Sequence, residues 1–167
     1  LFARGYERVI YFDPDIKVYG AVTPILDRLD NAQIVLTPHL TGRLDDGRKP
    51  TELQILQSGS YNLGFIALRR TDDTRRFVDW WQGKLERECV VDIPRGLFTD
   101  QKWIDLVPGM FGGVAIERDA GWNVAKSLAT AGDPTGASAA VLRLAELLLA
   151  GLAAAASRRP LEVTTGP

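Results

Sequence analysis

The chain is poor in the residues that build covalent and metal scaffolds. Its 167 residues include one cysteine, Cys89, and one histidine, His39. A single thiol excludes an internal disulfide framework and fits a reducing compartment. A single imidazole excludes multi-histidine metal centres. Charge of neither sign accumulates: 20 Lys and Arg stand against 21 Asp and Glu, a formal net charge of −1. Neither a nucleic-acid footprint nor a polybasic membrane patch is visible. The alanine- and leucine-rich stretch 138–157 carries Arg143 and Glu146, and alanine outweighs larger apolar residues there, which argues against a membrane span. No signal or transit peptide is evident. A hydrophobic content of 46% suffices for one respectable core.

What is present is organised around residues 8–19. Residues 9–12, Val-Ile-Tyr-Phe, are an apolar run rich in β-branched and aromatic residues, which predicts a strand buried on both faces. Asp13-Pro14-Asp15 stops it. Pro14 removes a backbone donor and biases Asp13 toward an extended conformation. Side chains two apart in an extended stretch share a side, so Asp13 and Asp15 are expected to converge at the strand's carboxyl end. Open α/β sheets bind their ligands there. Two adjacent carboxylates suit a shared hard cation, Mg²⁺ or Mn²⁺, which also binds phosphate oxygens. The plain alternative is a polar turn, since Asp and Pro are ordinary turn residues.

Further along, residues 23–29 predict a short helix capped by Thr23, and residues 33–37 a strand ended by Pro38. Residues 39–49 read as a polar loop, either a lid or a solvated surface. Residues 51–57 predict a helix with Leu53 and Leu56 facing inward. Residues 61–68 predict a strand containing Asn62 and an interior Gly64, where glycine implies close approach of a backbone or ligand. Residues 72–88 form the clearest amphipathic helix, with Phe77, Trp80, Trp81 and Leu85 on its core face. A helix is expected to open at Thr99, with Asp100 and Gln101 in its first turn, where the helix dipole favours an acid whatever its function. Residues 107–116 predict a turn into a short strand. Residues 119–125 predict a polar loop containing Asn123.

In order, these segments resemble bacterial glycosyltransferases of the GT-A type, the nucleotide-diphospho-sugar transferase superfamily. Four features carry the resemblance: the strand into Asp13-Pro14-Asp15, Leu36-Thr37-Pro38-His39, Tyr61-Asn62-Leu63-Gly64-Phe65, and Asp100-Gln101 followed by Gly121-Trp122-Asn123-Val124-Ala125. The resemblance implies an α/β fold with a mixed sheet and flanking helices, cytoplasmic or peripheral to the inner membrane. It implies that Asp13 sits near the ribose or a metal-bound water, and that Asp13 and Asp15 form the Mn²⁺ or Mg²⁺ site. Asn62, Gly64 and Asn123 would line the donor and acceptor pocket, and Asp100, with Gln101 beside it, would serve the transferred sugar or act as a base. The implied partners are a UDP- or GDP-sugar and a glycan or lipid-linked glycan acceptor, with a role in cell-surface polysaccharide assembly.

Residues 1–125 would then be a partial GT-A domain with its amino-terminal nucleotide-binding half incomplete. Residues 126–167 would be a linker, an alanine- and leucine-rich helix and a loose tail. The absence of the later histidine found in many relatives leaves a fragment without activity of its own as one expectation. Two other readings stand beside the transferase. One is a non-catalytic remnant or interaction domain. The other is a phosphatase of the haloacid-dehalogenase type, which also uses a strand followed by two acids. Thr37 mimics that family's second motif. Lys17 falls where it has a small residue, however, and Asp133 lies in the linker.

Overall fold

In the computed structural model, which describes residues 1–18, 20–44, 47, 49–119 and 122, the apolar runs form a mixed sheet with helices on both faces. The elements are β1 (Arg8–Phe12), α1 (Thr23–Asn31), β2 (Ile34–Pro38), α2 (Glu52–Ser58), β3 (Tyr61–Arg69), α3 (Asp72–Glu88), β4 (Val91–Asp92) and β5 (Leu97–Phe98). A 3-10 helix at Gln101–Leu106 follows, then α4 (Val107–Met110) and β6 (Val114–Ile116). The main sheet has the order β1-β3-β2-β6, and β4 and β5 form a separate two-stranded ribbon. Strand β3 is antiparallel to both β1 and β2, while β2 and β6 are parallel. Strands β1, β2 and β6 therefore run one way and β3 the other. Three carboxyl ends and the amino end of β3 share one edge of the sheet.

Alternation along β2 divides the core between the two faces. Ile34 and Leu36 pack with Phe77 of α3, with Ile104 and with Val107 of α4. Val35 packs on the other face with Ile25 and Leu29 of α1. Phe65, Phe77 and Leu29 are fully buried, each contributing roughly 1.5–3 kcal/mol relative to exposure. The aromatic face of α3 is core, as its spacing predicts: Phe77 stacks on Trp81 at 5.6 Å and meets Phe111 edge-on at 5.6 Å. Thr71 caps α3 by accepting from Thr74 N at 3.1 Å. Thr51 and Gln54 cap α2 reciprocally, at 3.3 Å and 2.9 Å.

Several expectations are corrected. Strand β1 is an edge strand, not one buried on both faces; Tyr11 is 47% exposed. Its apolar run reflects pairing with β3 and packing of Ile10 and Phe12 on the α1 side. Leu53 and Leu56 are 63% and 61% exposed rather than inward, because α2 meets its neighbours through backbone groups instead. Lys102 Nζ donates to Leu56 O at 2.6 Å and Gln101 Nε2 to Ser58 O at 2.9 Å. Thr23 is the first helical residue of α1, and the cap position belongs to Val22, which makes no side-chain cap bond. Residues 107–110 are a helical turn, placed by burial of Val107. No helix starts at Thr99; the chain turns there through a left-handed residue, φ +48°, and enters the 3-10 helix at Gln101. Among the described residues no helix is long and apolar enough to cross a membrane. The expected linker, helix and tail at 126–167 lie outside the described residues, as does Asn123.

Candidate functional site

Asp13 follows the last residue of β1, and its N–H donates to Gly64 O at 2.9 Å, extending the ladder by one bond. Its own carbonyl accepts from Ile16 N at 2.9 Å. Residues 13–16 are thus a β-turn with aspartate first and Pro14 second, the positions these residues favour. Asp13 continues the ladder of the strand, while the extended path expected onward to Asp15 is replaced by this turn: proline supplies the φ of a turn's second position as readily as that of a strand. Asp13 is half-buried and Asp15 exposed.

Tyr11 and Asp13, two apart on the strand, reach the same side, and the Tyr11 hydroxyl donates to Asp13 Oδ1 at 2.7 Å. That hydrogen bond, then burial, then the charges of Asp13, Asp100 and Asp15, push the Tyr11 phenol up to about 12. Three carboxylates therefore bear on one hydroxyl. The Tyr61 phenol, at the same edge, is raised by burial and by Asp105 and lowered by Arg118, which follows β6.

Strand β3 carries an irregularity at this edge. Leu36 pairs with Ile66 and Pro38 with Tyr61, so two positions along β2 (36 to 38) face five along β3 (66 to 61). Leu63 and Ile66 consequently lie on one face while Phe65 lies on the other. Such bulges re-aim side chains. Here the buried Asn62 bridges the bulge, its Oδ1 accepting from Gly64 N at 3.0 Å, and Asn62 O accepts from Thr37 Oγ1 at 3.3 Å. A Cβ on Gly64 would stand 3.2 Å from Ile16 Cδ1, 3.3 Å from Asn62 Oδ1 and 3.6 Å from Asp13 Oδ2. A side chain at Gly64 would thus press on Ile16 and Asn62 and meet Asp13 at ordinary contact distance, the close approach expected of a glycine inside a strand.

Asp100 arrives from the other side of the chain. Trp81 Nε1 donates to its carbonyl at 3.2 Å, and the preceding Thr99 N donates to Val90 O at 2.9 Å. A left-handed φ at a buried, β-branched threonine stores about 1–3 kcal/mol of strain. Partial burial first, and the charge of Asp100 second, raise the Cys89 thiol. Gln101 sits in the joint beneath α2: besides bonding Ser58 O, its backbone and Cγ lie 3.2 to 3.4 Å from where a Cβ on Gly59 would stand. Trp122, next to Asn123, lies edge-on to Phe65 at 6.0 Å, and Phe65 meets Phe12 at 5.6 Å.

Of the residues expected at the site, Asp13, Asn62 and Gly64 meet directly, and Asp15 and Asp100 reach the group through their charge on Tyr11. Tyr11 itself, the bulge and the strained Thr99 escaped sequence reasoning. The i, i+2 spacing of Tyr11 and Asp13 was available as a signal for the first. Asn62-Leu63-Gly64, a side-chain acceptor two residues before a small residue, was a signal for the second.

Among the described residues no group of three or more His, Cys, Asp or Glu side chains is arranged to hold a metal. The donors at hand are the hard carboxylate oxygens of Asp13 and Asp15. Oxygens of this kind suit Mg²⁺ or Mn²⁺ in their chemistry; Asp13 Oδ1 takes the Tyr11 hydroxyl, and Asp15 sits in the turn that follows.

Fold and edge together define a mixed α/β protein whose co-directional strands β1, β2 and β6 end on one side, where Asp13 meets Gly64. No family model and no solved structure matches the chain. Over 123 residues, 71% of its length, it is 28% identical to the uncharacterized protein YfnF of Bacillus subtilis (strain 168). The chain spans 39% of the length of that relative.

Proposed function

We propose that the chain is part of a GT-A-type glycosyltransferase that moves a sugar from a nucleoside-diphosphate sugar to a glycan-like acceptor. One observation carries the reading. Asp13 and Asn62 both meet Gly64 at the end of β1, and the charges of Asp13, Asp100 and Asp15 all raise the Tyr11 phenol bonded to Asp13. The edge they occupy gathers the carboxyl ends of β1, β2 and β6, where α/β sheets take ligands.

In this reading Asp13 and Asp15 hold Mn²⁺ or Mg²⁺ against the donor diphosphate. When bound, the ion stabilises the negative charge that develops on the leaving nucleoside diphosphate. The chain's own residues orient the donor. Gly64 lets Asp13 and Ile16 close over the strand end, Asn62 fixes the bulge beside them, and Asp100 faces the transferred sugar or takes the acceptor's proton. The strained turn at Thr99 supports that position, since strain of this kind persists where surrounding structure holds it for a purpose.

Calorimetric titration of the chain with UDP and GDP, with and without Mn²⁺, tests the proposal. Metal-dependent affinity that disappears in Asp15→Ala supports it. Absence of nucleotide affinity under every condition sinks it. Hydrolysis of a generic phosphomonoester, lost in Asp13→Asn, would replace it with the phosphatase reading.

A further inference from the structure

We infer that Trp81 is a positioning residue for Asp100: its indole N–H, bonded to the Asp100 carbonyl, holds the left-handed turn from which Asp100 projects. The inference rests on the transferase reading for what Asp100 does once placed, and adds to it the residue that places it. Asp100 precedes the 3-10 helix at Gln101–Leu106, yet its side chain makes no cap bond to that helix. Capping therefore does not account for an acid at this position. The backbone that delivers it is strained. Thr99 is buried, β-branched and at φ +48°, a region that such a residue leaves unless its surroundings hold it there.

Two bonds hold the turn, one on each side. Before it, Thr99 N donates to Val90 O at 2.9 Å, which carries the β4–β5 pairing of Val91 with Phe98 one step further. After it, Trp81 Nε1 donates to Asp100 O at 3.2 Å. The indole is itself fixed: Trp81 stacks on Phe77, with ring centroids 5.6 Å apart and 15° between the planes, and Phe77 is fully buried. A ring locked on α3 thereby sets a carbonyl 19 residues further along the chain. The next position in the ribbon register puts Cys89 across from Asp100. Partial burial and then the charge of Asp100 raise that thiol. Cys89 is exposed and is the chain's sole cysteine, so it reports where Asp100 stands. Trp80, one residue earlier on α3, packs on Trp103 and Phe111 instead.

The test uses the full chain and needs no nucleotide. The rate at which Cys89 reacts with an aromatic disulfide, followed from about pH 7 to 10, tracks its thiolate fraction. Asp100→Asn should raise reactivity on the acid side of that profile about two-fold, the scale of one charge acting through water. Trp81→Phe should raise it to a similar extent, and joining the two substitutions should add nothing. Trp80→Phe, the same loss from the same aromatic cluster, should leave the profile in place. Thr99→Gly in the Trp81→Phe chain should restore the wild-type profile, because glycine takes a positive φ unaided. That pair also serves if Trp81→Phe alone fails to fold. Three results would make Trp81 a core residue only and overturn the inference while the transferase reading stands: a wild-type profile in Trp81→Phe, an effect that adds to that of Asp100→Asn or is matched by Trp80→Phe, or a Thr99→Gly/Trp81→Phe chain that still does not fold. A wild-type profile in Asp100→Asn overturns it as well, since Asp100 would then stand elsewhere. If the thiol responds as expected and no nucleotide binds, the transferase reading falls and Trp81 still holds Asp100.

Discussion

The two ends of the sheet are built from the same kinds of residues to opposite effect. At the amino end of β1, charges are matched. Arg8 pairs with Asp30, Arg70 with Glu7, Arg69 Nη1 donates to Asp30 O at 3.2 Å, and Gln33 accepts from Thr71. At the carboxyl end three acids, Asp13, Asp15 and Asp100, all act on Tyr11, while Arg118 acts on Tyr61 nearby. The first end closes α1 and the start of α3 onto the strands. The second sets three acids around one phenol, beside a buried glycine whose missing side chain leaves room for Ile16 and Asn62. In the proposed transferase a bound cation would relieve the repulsion among those acids.

Substitutions at the two ends can break or sharpen that contrast. The largest effect is expected beneath the acidic end. Phe65 is fully buried between Phe12 and Trp122, so Phe65→Ala should lower unfolding free energy by about 3–5 kcal/mol in urea titration. Gly64→Val comes next. It forces side-chain atoms against Ile16, Asn62 and Asp13, costs about 1–3 kcal/mol by overpacking, and should remove Mn²⁺-dependent nucleotide affinity. Normal affinity in that variant would show that the glycine is not the floor of the site.

A matched pair of charge deletions then separates stability from function. Asp15→Ala, at an exposed turn, should leave stability within about 0.5 kcal/mol while abolishing metal-dependent binding. Asp30→Ala, which breaks an ion pair between side chains 37% and 53% exposed, should cost about 0–1 kcal/mol and leave binding intact. Equal consequences for binding would erase the distinction between the ends.

The smallest effect is alkaline. Tyr11 titrates near 12 in the fold against about 10 in an unfolded chain. The native state therefore holds its proton longer, and the contribution is complete below about pH 10 and lost as pH rises toward 12. Urea midpoints across that window should fall more steeply for wild type than for Tyr11→Phe. Parallel curves would mean that the phenol–carboxylate bond contributes nothing to stability.

The sequence by itself determined much of this arrangement, because local chemistry leaves few choices. The spacing of Phe77, Trp80 and Trp81 dictates the core face of α3, Thr71 caps it, and Pro14 ends β1 wherever that strand lies. Gly64 inside an apolar strand announces a close approach. The tertiary structure alone decided which neighbours those elements would have. Apolar residues 9–12 look the same at an edge as at a centre, since hydrophobicity records burial and not which ladder bonds are made. Leu53 and Leu56 have helical spacing, yet α2 is docked by the carbonyls of Leu56 and Ser58, which no periodicity reports. The meeting of Asp13 with Asn62 and Gly64, far along the chain, arises from strand direction and a bulge. Those are long-range pairings and backbone torsions, set by the packing of the whole sheet.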